Sequence, residues 1–497
     1  MNSNLLILPA IVPFVFALVM LWLRGREGAA RYLALLSGVI QSIVAALLFK
    51  LVLSEGTQTL EIGGWEAPFG ITFVADLLSA SLALVTSFVS LAIALYISVE
   101  KDEPITHPFT LPLLQLLLSS VYGAFLTGDL FNLFVWFEVM LITSFVLLSF
   151  GDAKQAIGGA IKYVLLNLVS SVLFLTAIGL LYGKTGTLNF AHIAARVGHL
   201  SNEPLLIGAA TLLFCAFSIK AALFPVHFWL PASYHHTPAF VSATFGGLLT
   251  KVGVYAMIRT FTLVFPLQGT WLQTALWIIS IATMLFGVLG AASQMNFRRI
   301  LSFHIISQIG YMTLGLALWS PLALSAAVFY LLHHIIAKTN LFLFGGLAAR
   351  LCGSDDLRKQ GGLYSSHLPT AILFLIPALS LAGMPPLSGF FAKLLVLQAA
   401  LEAHSLISVI CMLLVGLATM YSMIKIWSEA FWKPAPADAV RPSNRTPSAG
   451  AYLGVAYLAL FTVFIGVGAG YVFPICERIA GELLDQGCYI HAVLGER

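Results

Sequence analysis

Charge is scarce in this chain. Asp, Glu, Lys and Arg make up 9% of its 497 residues, against about 25% in ordinary soluble domains. With 59% hydrophobic residues and a mean hydropathy of +0.95, a sizeable water-soluble domain is excluded. The longest polar stretch, 433–450, has the length of a loop. No basic stripe interleaved with aromatics is present, which argues against nucleic-acid binding. The five cysteines lack metal-ligand spacing. Cys215 and Cys411 lie in apolar runs and read as small hydrophobes. Cys476 and Cys488 in the C-terminal tail could pair if that tail is extracytoplasmic. There is no Walker sequence, Gly-rich phosphate loop or haem signature, so no cofactor and no metal is expected. The opening Met1-Asn-Ser-Asn has no basic stretch, and no small-residue cleavage site ends the first apolar run. Residues 4–22 therefore read as a retained helix.

What is present is a series of long apolar runs. A spanning helix needs about 20 mostly apolar residues. Runs that qualify are 4–22, 32–53, 71–97, 109–127, 129–150, 157–182, 206–232, 238–264, 273–292, 299–318, 322–349, 369–401, 405–431 and 451–473. The fold class expected is an all-α polytopic membrane protein of about 14 transmembrane helices. Basic residues in the connections set orientation. One side holds Arg24, Arg26, Arg31, Lys101, Lys154, Arg298, Arg299, Arg350, Arg358, Lys359, Lys433, Arg441 and Arg445. The other holds Lys184, Arg196, Arg259, Arg478 and Arg497, with the acidic Glu55, Glu61 and Glu66. The first side should be cytoplasmic, which leaves both termini extracytoplasmic.

Two of the runs look broken. Pro225 and Pro231 interrupt 206–232, and Gly383-Met-Pro-Pro386 interrupts 369–401. Proline removes a ladder hydrogen bond, and broken backbone at membrane depth survives only inside protein or beside a watery cavity. The breaks are five helices apart. Helices 4–8 and 9–13 then form two five-helix repeats of opposite polarity, an inverted repeat with a broken helix in each. The divisions expected are a three-helix segment (1–108), the first repeat (109–264), the second repeat (265–432), and a loop, last helix and extracytoplasmic tail (433–497).

Set against this background, a few charges are out of place. Glu138, Lys220, Lys251, Lys338 and Lys393 all fall well inside apolar runs. Unpaired against lipid they would cost about 13–18 kcal/mol together, more than the whole stability of many domains. They must face protein or water, and a buried row of titratable groups is what a proton path needs. Glu138, in Leu133-Phe-Val-Trp-Phe-Glu-Val-Met140, is a lone carboxylate among aromatics. It tends to be neutral unless a lysine joins it. Lys220 precedes the first break and Lys393 follows the second. Lys251 has Gly246, Gly247 and Gly253 around it, which permit close helix contact. His334 and Lys338 are four residues apart and share a face; a neutral imidazole there can donate and accept a proton. His333 points elsewhere and reads as packing, His304 is a second candidate shuttle, and His235-His236 should lie at a helix end near the cytoplasm. A bland alternative runs beside this one: the charges form static ion pairs in a scaffold, in which case swapped pairs would restore transport.

Several stretches together resemble the antiporter-like membrane subunits shared by respiratory complex I and the Mrp multisubunit sodium/proton antiporters. They are Phe131-Asn-Leu-Phe-Val-Trp-Phe-Glu138, Lys220 with Phe224-Pro-Val-His-Phe-Trp-Leu-Pro231, Lys251, the stretch from Arg298 to Gly310, Lys338, and Gly383-Met-Pro-Pro-Leu-Ser-Gly389 leading to Lys393. The resemblance covers roughly 60–430. It is nearest to the D-type subunits of Mrp antiporters, on Ala232 after the Leu-Pro, lysine at 393 and the segment Glu61-Ile-Gly-Gly-Trp-Glu-Ala-Pro-Phe-Gly70. The resemblance implies an ion-translocating subunit of a Na+/H+ antiporter in the cell inner (plasma) membrane. It is not an enzyme, and it works with other hydrophobic subunits on protons and Na+. It implies that Glu138 and Lys220 couple a first half-channel, that Lys251 and Lys338 bridge the halves, and that Lys393 serves the second; His334, from its own position, joins them as a candidate in the proton relay. The competing expectation is a proton-pumping subunit of a redox-driven complex, such as NADH:quinone oxidoreductase or a membrane hydrogenase. No convincing sodium site is visible in the chain.

Overall fold

The apolar runs fold as helices because, in hydrocarbon, a helix satisfies every backbone N–H and C=O within its own segment. The computed structural model describes residues 3–23, 25–98, 107–150, 154–198, 203–436 and 448–495. Among these, eleven helices are long and apolar enough to cross a membrane, and three shorter apolar helices accompany them. The chain is a nearly all-helical polytopic membrane protein.

In chain order the helices begin with α1 (Leu8–Trp22), α2 (Glu27–Glu55), α3 (Leu77–Ser98), α4 (Thr110–Leu126), α5 (Leu130–Ser149) and α6 (Lys154–Thr185). A short α7 (Phe190–Val197) leads to α8 (Pro204–Ala221) and α9 (Trp229–Ser233). Then come α10 (Ala239–Val264), α11 (Trp271–Ser293), α12 (Phe297–Leu318) and α13 (Pro321–Cys352). The series closes with α14 (Leu368–Ala382), α15 (Ser388–Glu402), α16 (Leu406–Trp432), α17 (Ala449–Val467), α18 (Ala469–Leu484) and α19 (Gln486–Leu494). Polar residues set the starts: Asp129 accepts from the Asn132 amide at the head of α5, and Ser320 caps α13 just before Pro321.

Burial sorts the helices into a centre and a rim. In the most apolar window of α10 every residue is buried, and in α12 and α13 94% are. The share falls to 39% in α6 and α11 and 33% in α16, whose other faces are left for lipid or partners. Helix α13 packs against α3, α10, α12, α14, α15, α17 and α18. Two glycines let the centre close: a Cβ on Gly247 would meet Thr339 Oγ1 at 2.1 Å, and one on Gly253 would lie 2.7 Å from the Ala221 amide nitrogen. Gly253 thus brings α10 against the end of α8.

Both breaks fall where proline placed them. Helix α8 ends at Ala221, Ala222 turns left-handed (φ 59), and the freed Phe224 amide donates to Thr283 Oγ1 on α11 at 2.9 Å. Helix α14 ends at Gly383 (φ 93), and the chain resumes as α15, where the Gly389 amide donates to Ser380 Oγ at 3.1 Å.

Three features depart from expectation. The stretch before α3 is a β-hairpin, in which β1 (Gln58–Glu61) pairs antiparallel with β2 (Thr72–Ala75), Gln58 opposite Ala75. The tail is two helices, α18 and α19, packed back on the bundle. Arg259, expected in a connection, is inside α10 and buried, because Asp76 at the head of α3 neutralises it. Of the orientation residues, Arg24, Lys101, Arg441, Arg445 and Arg497 lie outside the described residues, as does the side chain of Lys154.

Candidate functional site

Glu138 on α5 faces α6, where the Ser171 hydroxyl donates to its carboxylate. Lys220, at the end of α8, reaches the same Ser171 Oγ at 3.5 Å and lies 5.4 Å over the Phe137 ring. Glu138 and Lys220 are therefore joined through a hydroxyl; among the described residues they form no direct ion pair. A cavity of ≈ 20 Å³ touches Lys220, Phe137, Tyr163, Asn167 and Trp229, large enough for about one water.

The next two lysines are fully buried. Lys251 donates to the Gly246 carbonyl, in the π-helical turn Phe245–Leu249 of α10. Such a turn frees backbone groups from the ordinary ladder. Lys338 on α13 donates to the Leu301 carbonyl of α12 at 3.2 Å. His334, one turn before Lys338, is fully buried with neither ring nitrogen partnered, and it lies in the fields of both Lys251 and Lys338. His304 on α12 is equally buried and unpartnered, in the fields of Lys338 and Lys393.

Lys393 is half-buried and donates to the Ala382 carbonyl at 2.9 Å, the end of the broken α14. It lies 5.8 Å over the Tyr311 ring, in a cleft of ≈ 430 Å³ lined by Met384, Phe390, Met412 and Leu417. His333, expected to be packing, is instead wired to this break: its Nδ1 shares a hydrogen bond with Ser388 Oγ at 2.7 Å, and Ser388 with Ser380 at 3.1 Å. The reason is the close approach at Gly389, where a Cβ would sit 1.8 Å from the Ser380 carbonyl oxygen.

A common chemistry links these lysines. Lys251, Lys338 and Lys393 rest on backbone carbonyls and, among the described residues, on no carboxylate. An ammonium has three N–H donors, and the amine left after deprotonation still has two. A carbonyl therefore keeps its hydrogen bond in either protonation state, whereas an adjacent carboxylate would favour the charged ammonium. The arrangement suits groups that gain and lose protons.

Three side chains of these buried polar networks escaped the sequence reading. Ser171 follows Tyr163 and Asn167 at four-residue spacing on a mostly apolar helix, a signal that was legible. Asp76 pairs with Arg259, which no local pattern announces. Lys425 on α16 donates to the carbonyls of Ala292 and Gln294 at the end of α11, at 2.8 and 2.7 Å. The rings of His235 and His236 lie 3.8 Å apart, tilted at 39°, beside the head of α12 in the field of Arg298 and Arg299. All five cysteines are free, Cys476 buried and Cys488 exposed. Among the described residues no three His, Cys, Asp or Glu side chains converge to hold a metal.

Residues 127–420 match the family described as NADH:quinone oxidoreductase/Mrp antiporter, TM. The D-type subunit of the Na+/H+ antiporter of Alkalihalophilus pseudofirmus is 41% identical over 99% of this chain and 100% of its own length. A chain of the Mrp complex from a Dietzia species superposes with a TM-score of 0.91 at 32% identity, covering 100% of both chains. A chain of an archaeal respiratory complex, the membrane-bound sulfane sulfur reductase, superposes with a TM-score of 0.90 at 26% identity, over 99% of this chain and 100% of its own. By sequence and by fold, the chain belongs to the family of D-type subunits of Mrp Na+/H+ antiporters, within the wider group of antiporter-like membrane subunits that includes those of NADH:quinone oxidoreductase.

Proposed function

We propose that this chain is an ion-translocating subunit of a multisubunit Na+/H+ antiporter, and that it moves protons along Glu138, Lys220, Lys251, His334, Lys338 and Lys393. The observation that carries the reading is the row of buried lysines held by carbonyls, with Glu138 and Lys220 sharing one serine hydroxyl at its end. A charged Glu138 favours the ammonium of Lys220; when Glu138 is protonated that support goes, and Lys220 passes its proton towards Lys251. Packed helix axes are about 8–10 Å apart, so water bridges the longer steps. The chain acts as a secondary transporter subunit beside other hydrophobic subunits, as the antiporter name of its relative and the complex of its structural neighbour support. Its place is the bacterial inner membrane, with both termini outside by the charge rule. The divisions are 1–108, 109–264, 265–432 and 433–497, the middle two being the inverted repeats. Sodium travels with a partner subunit.

A redox-driven role has one observation behind it, the archaeal respiratory neighbour at 26% identity. The antiporter relative at 41% over full length weighs more. The test is Glu138→Ala and Lys220→Ala in the assembled complex, assayed for Na+/H+ exchange in membrane vesicles. Both should abolish exchange while the complex still assembles; retained exchange in either rejects that residue's role.

A further inference from the structure

The relay leaves one buried imidazole without a role. His333 and His334 are neighbours on α13, and adjacent helix residues do not share a face. His334 lies in the fields of Lys251 and Lys338, His333 in those of Lys393 and Lys338. At the second break the bonds from His333 run without a gap. Its Nδ1 shares a hydrogen bond with Ser388 Oγ at 2.7 Å, Ser388 shares one with Ser380 at 3.1 Å, and Ser380 Oγ accepts from the Gly389 amide at 3.1 Å. Ser380 lies on α14 and Ser388 opens α15, so two hydroxyls tie both sides of the break to α13. All three side chains are buried, where water does not compete for the bonds. A neutral imidazole completes the chain in either tautomer, accepting from Ser388 or donating to it; the tie needs no charge.

Lys393 is what the tie holds in place. It stands on α15 five residues after Ser388, and its acceptor, the Ala382 carbonyl, stands two residues after Ser380. The lysine bond and the serine bond thus cross the same break, and a shift of α15 against α14 breaks the first unless the second prevents it. The same histidine also braces the far side of the amine. Its ring meets Tyr330 edge-on at 5.9 Å, Tyr330 stacks on Tyr311 at 5.3 Å, and Tyr311 lies 5.8 Å below the Lys393 amine. Those two rings are fixed in turn, Tyr330 by donating to Gln308 and Tyr311 by donating to the Met412 carbonyl at 2.8 Å. In a transfer step a misplacement of about 1 Å can cost about a hundredfold. We propose that His333 is a positioning residue of the second half: through Ser388 and Ser380 it sets the Lys393 amine against the Ala382 carbonyl, and it carries no proton itself. This rests on the place of Lys393 in the relay proposed above. Since His333 and Lys338 are five residues apart on α13, one helix then bears the central lysine and holds the last one in register.

The experiment measures Na+/H+ exchange in vesicles holding the complete complex, with rates divided by the amount of assembled complex. His333→Leu and Ser388→Ala should each lower the maximal rate about two- to tenfold, the effect of one lost hydrogen bond, and leave the half-saturating Na+ concentration unchanged. An asparagine amide sits at the level of Nδ1, so His333→Asn keeps a partner for Ser388 yet cannot be protonated; it should run near the wild-type rate. The double variant, His333→Leu with Ser388→Ala, should be no slower than the slower single one, because both remove the same tie. Wild-type rates in both single variants overturn the latch, as does a raised half-saturating Na+ concentration at an unchanged maximal rate. A His333→Asn as slow as His333→Leu makes the ring a proton carrier and overturns it too, and so does a double variant whose loss is the product of the two. If His333→Leu fails to assemble, the other two decide: a slowed Ser388→Ala beside a normal His333→Asn upholds the latch, and any other pair of results overturns it. Lys393→Ala run alongside separates the readings. Exchange surviving there sinks the relay at Lys393 and the latch with it, whereas a dead Lys393→Ala with a fully active Ser388→Ala sinks the latch alone.

Discussion

Ser171→Ala asks whether Glu138 and Lys220 speak through a hydroxyl. The Ser171 Oγ donates to Glu138, is reached by Lys220 at 3.5 Å and lies 3.0 Å from the Asn167 carbonyl. A hydroxyl has a single proton to give, so it serves Glu138 or the Asn167 carbonyl at any moment. The ionised carboxylate draws the hydroxyl towards itself; a protonated one releases it to turn back and to accept more freely from Lys220. Alanine deletes this rotor without disturbing the helix, since it is the best helix former. A hydrogen bond to a charged group contributes about 1.5–3 kcal/mol. At about 1.4 kcal/mol per factor of ten, exchange should slow about ten- to hundredfold. The control is Ser170→Ala, one residue away, whose hydroxyl donates to the Ala216 carbonyl at 2.8 Å. It should cost about 1 kcal/mol of helix packing and leave exchange intact. The assay is the collapse of a pH-sensitive dye signal in everted vesicles on adding Na+, with the complex quantified on native gels. Wild-type rates in Ser171→Ala at normal complex levels would refute the hydroxyl bridge.

Gly389→Ala places a Cβ 1.8 Å from the Ser380 carbonyl oxygen and 3.1 Å from His333 Cε1. The second break must then open, at a cost of about 1–3 kcal/mol or more, and the melting temperature of the purified complex should drop. Gly179→Ala on α6, with nothing within 4 Å of its Cβ, should instead be neutral or gain about 0.5–1 kcal/mol; equal effects in the two would contradict the close approach. Burial pushes the Asp129 carboxyl up to about 6, against the pull of the Asn132 and Phe131 amides. A carboxyl raised in the folded state binds more protons there than unfolded, so its contribution to stability falls as pH rises from about 4 to about 6. Asp129→Asn keeps the cap and should flatten that slope and raise stability at pH 8 by up to about 3 kcal/mol, read by thermal denaturation across pH; an unchanged slope would mean the group does not titrate in this window.

The sequence announced the architecture loudly because the bilayer demands long apolar runs, and proline in two of them left the breaks plain to see. Glu138, Lys220, Lys251, His334, Lys338 and Lys393 stood out as polar groups within apolar runs for the same reason: each stands in a setting that makes it expensive. The partners were not. Carbonyl acceptors such as Gly246, Leu301 and Ala382 carry no side-chain signature, and only the folded backbone reveals them. Asp76 and Arg259 are 183 residues apart, and Arg259, near the end of the run 238–264, read as a charge of the outer side, with nothing nearby in the chain to announce its partner. His333 went astray because helix phase alone put it away from Lys338, while the other wall, Ser388, arrives from a different helix. The hairpin of β1 and β2 and the tail helices lay in the short, mixed segments where periodicity is weakest.

The contrast between centre and rim has a consequence for biogenesis. Helices α10, α12 and α13 are the most enclosed and among the least apolar of the spanning helices, with hydropathy 1.4 against 2.0–2.3 for α5, α6 and α11. Carrying Lys251 and Arg259, or Arg298, Arg299 and His304, or Lys338 with His333 and His334, each is a poor candidate to leave the translocon alone. They require company on entry: the greasy outer helices must be held close by until the polar ones follow and find their acceptors. Nascent-chain crosslinking should then find α10 lingering beside the insertion machinery until α11 to α13 have emerged.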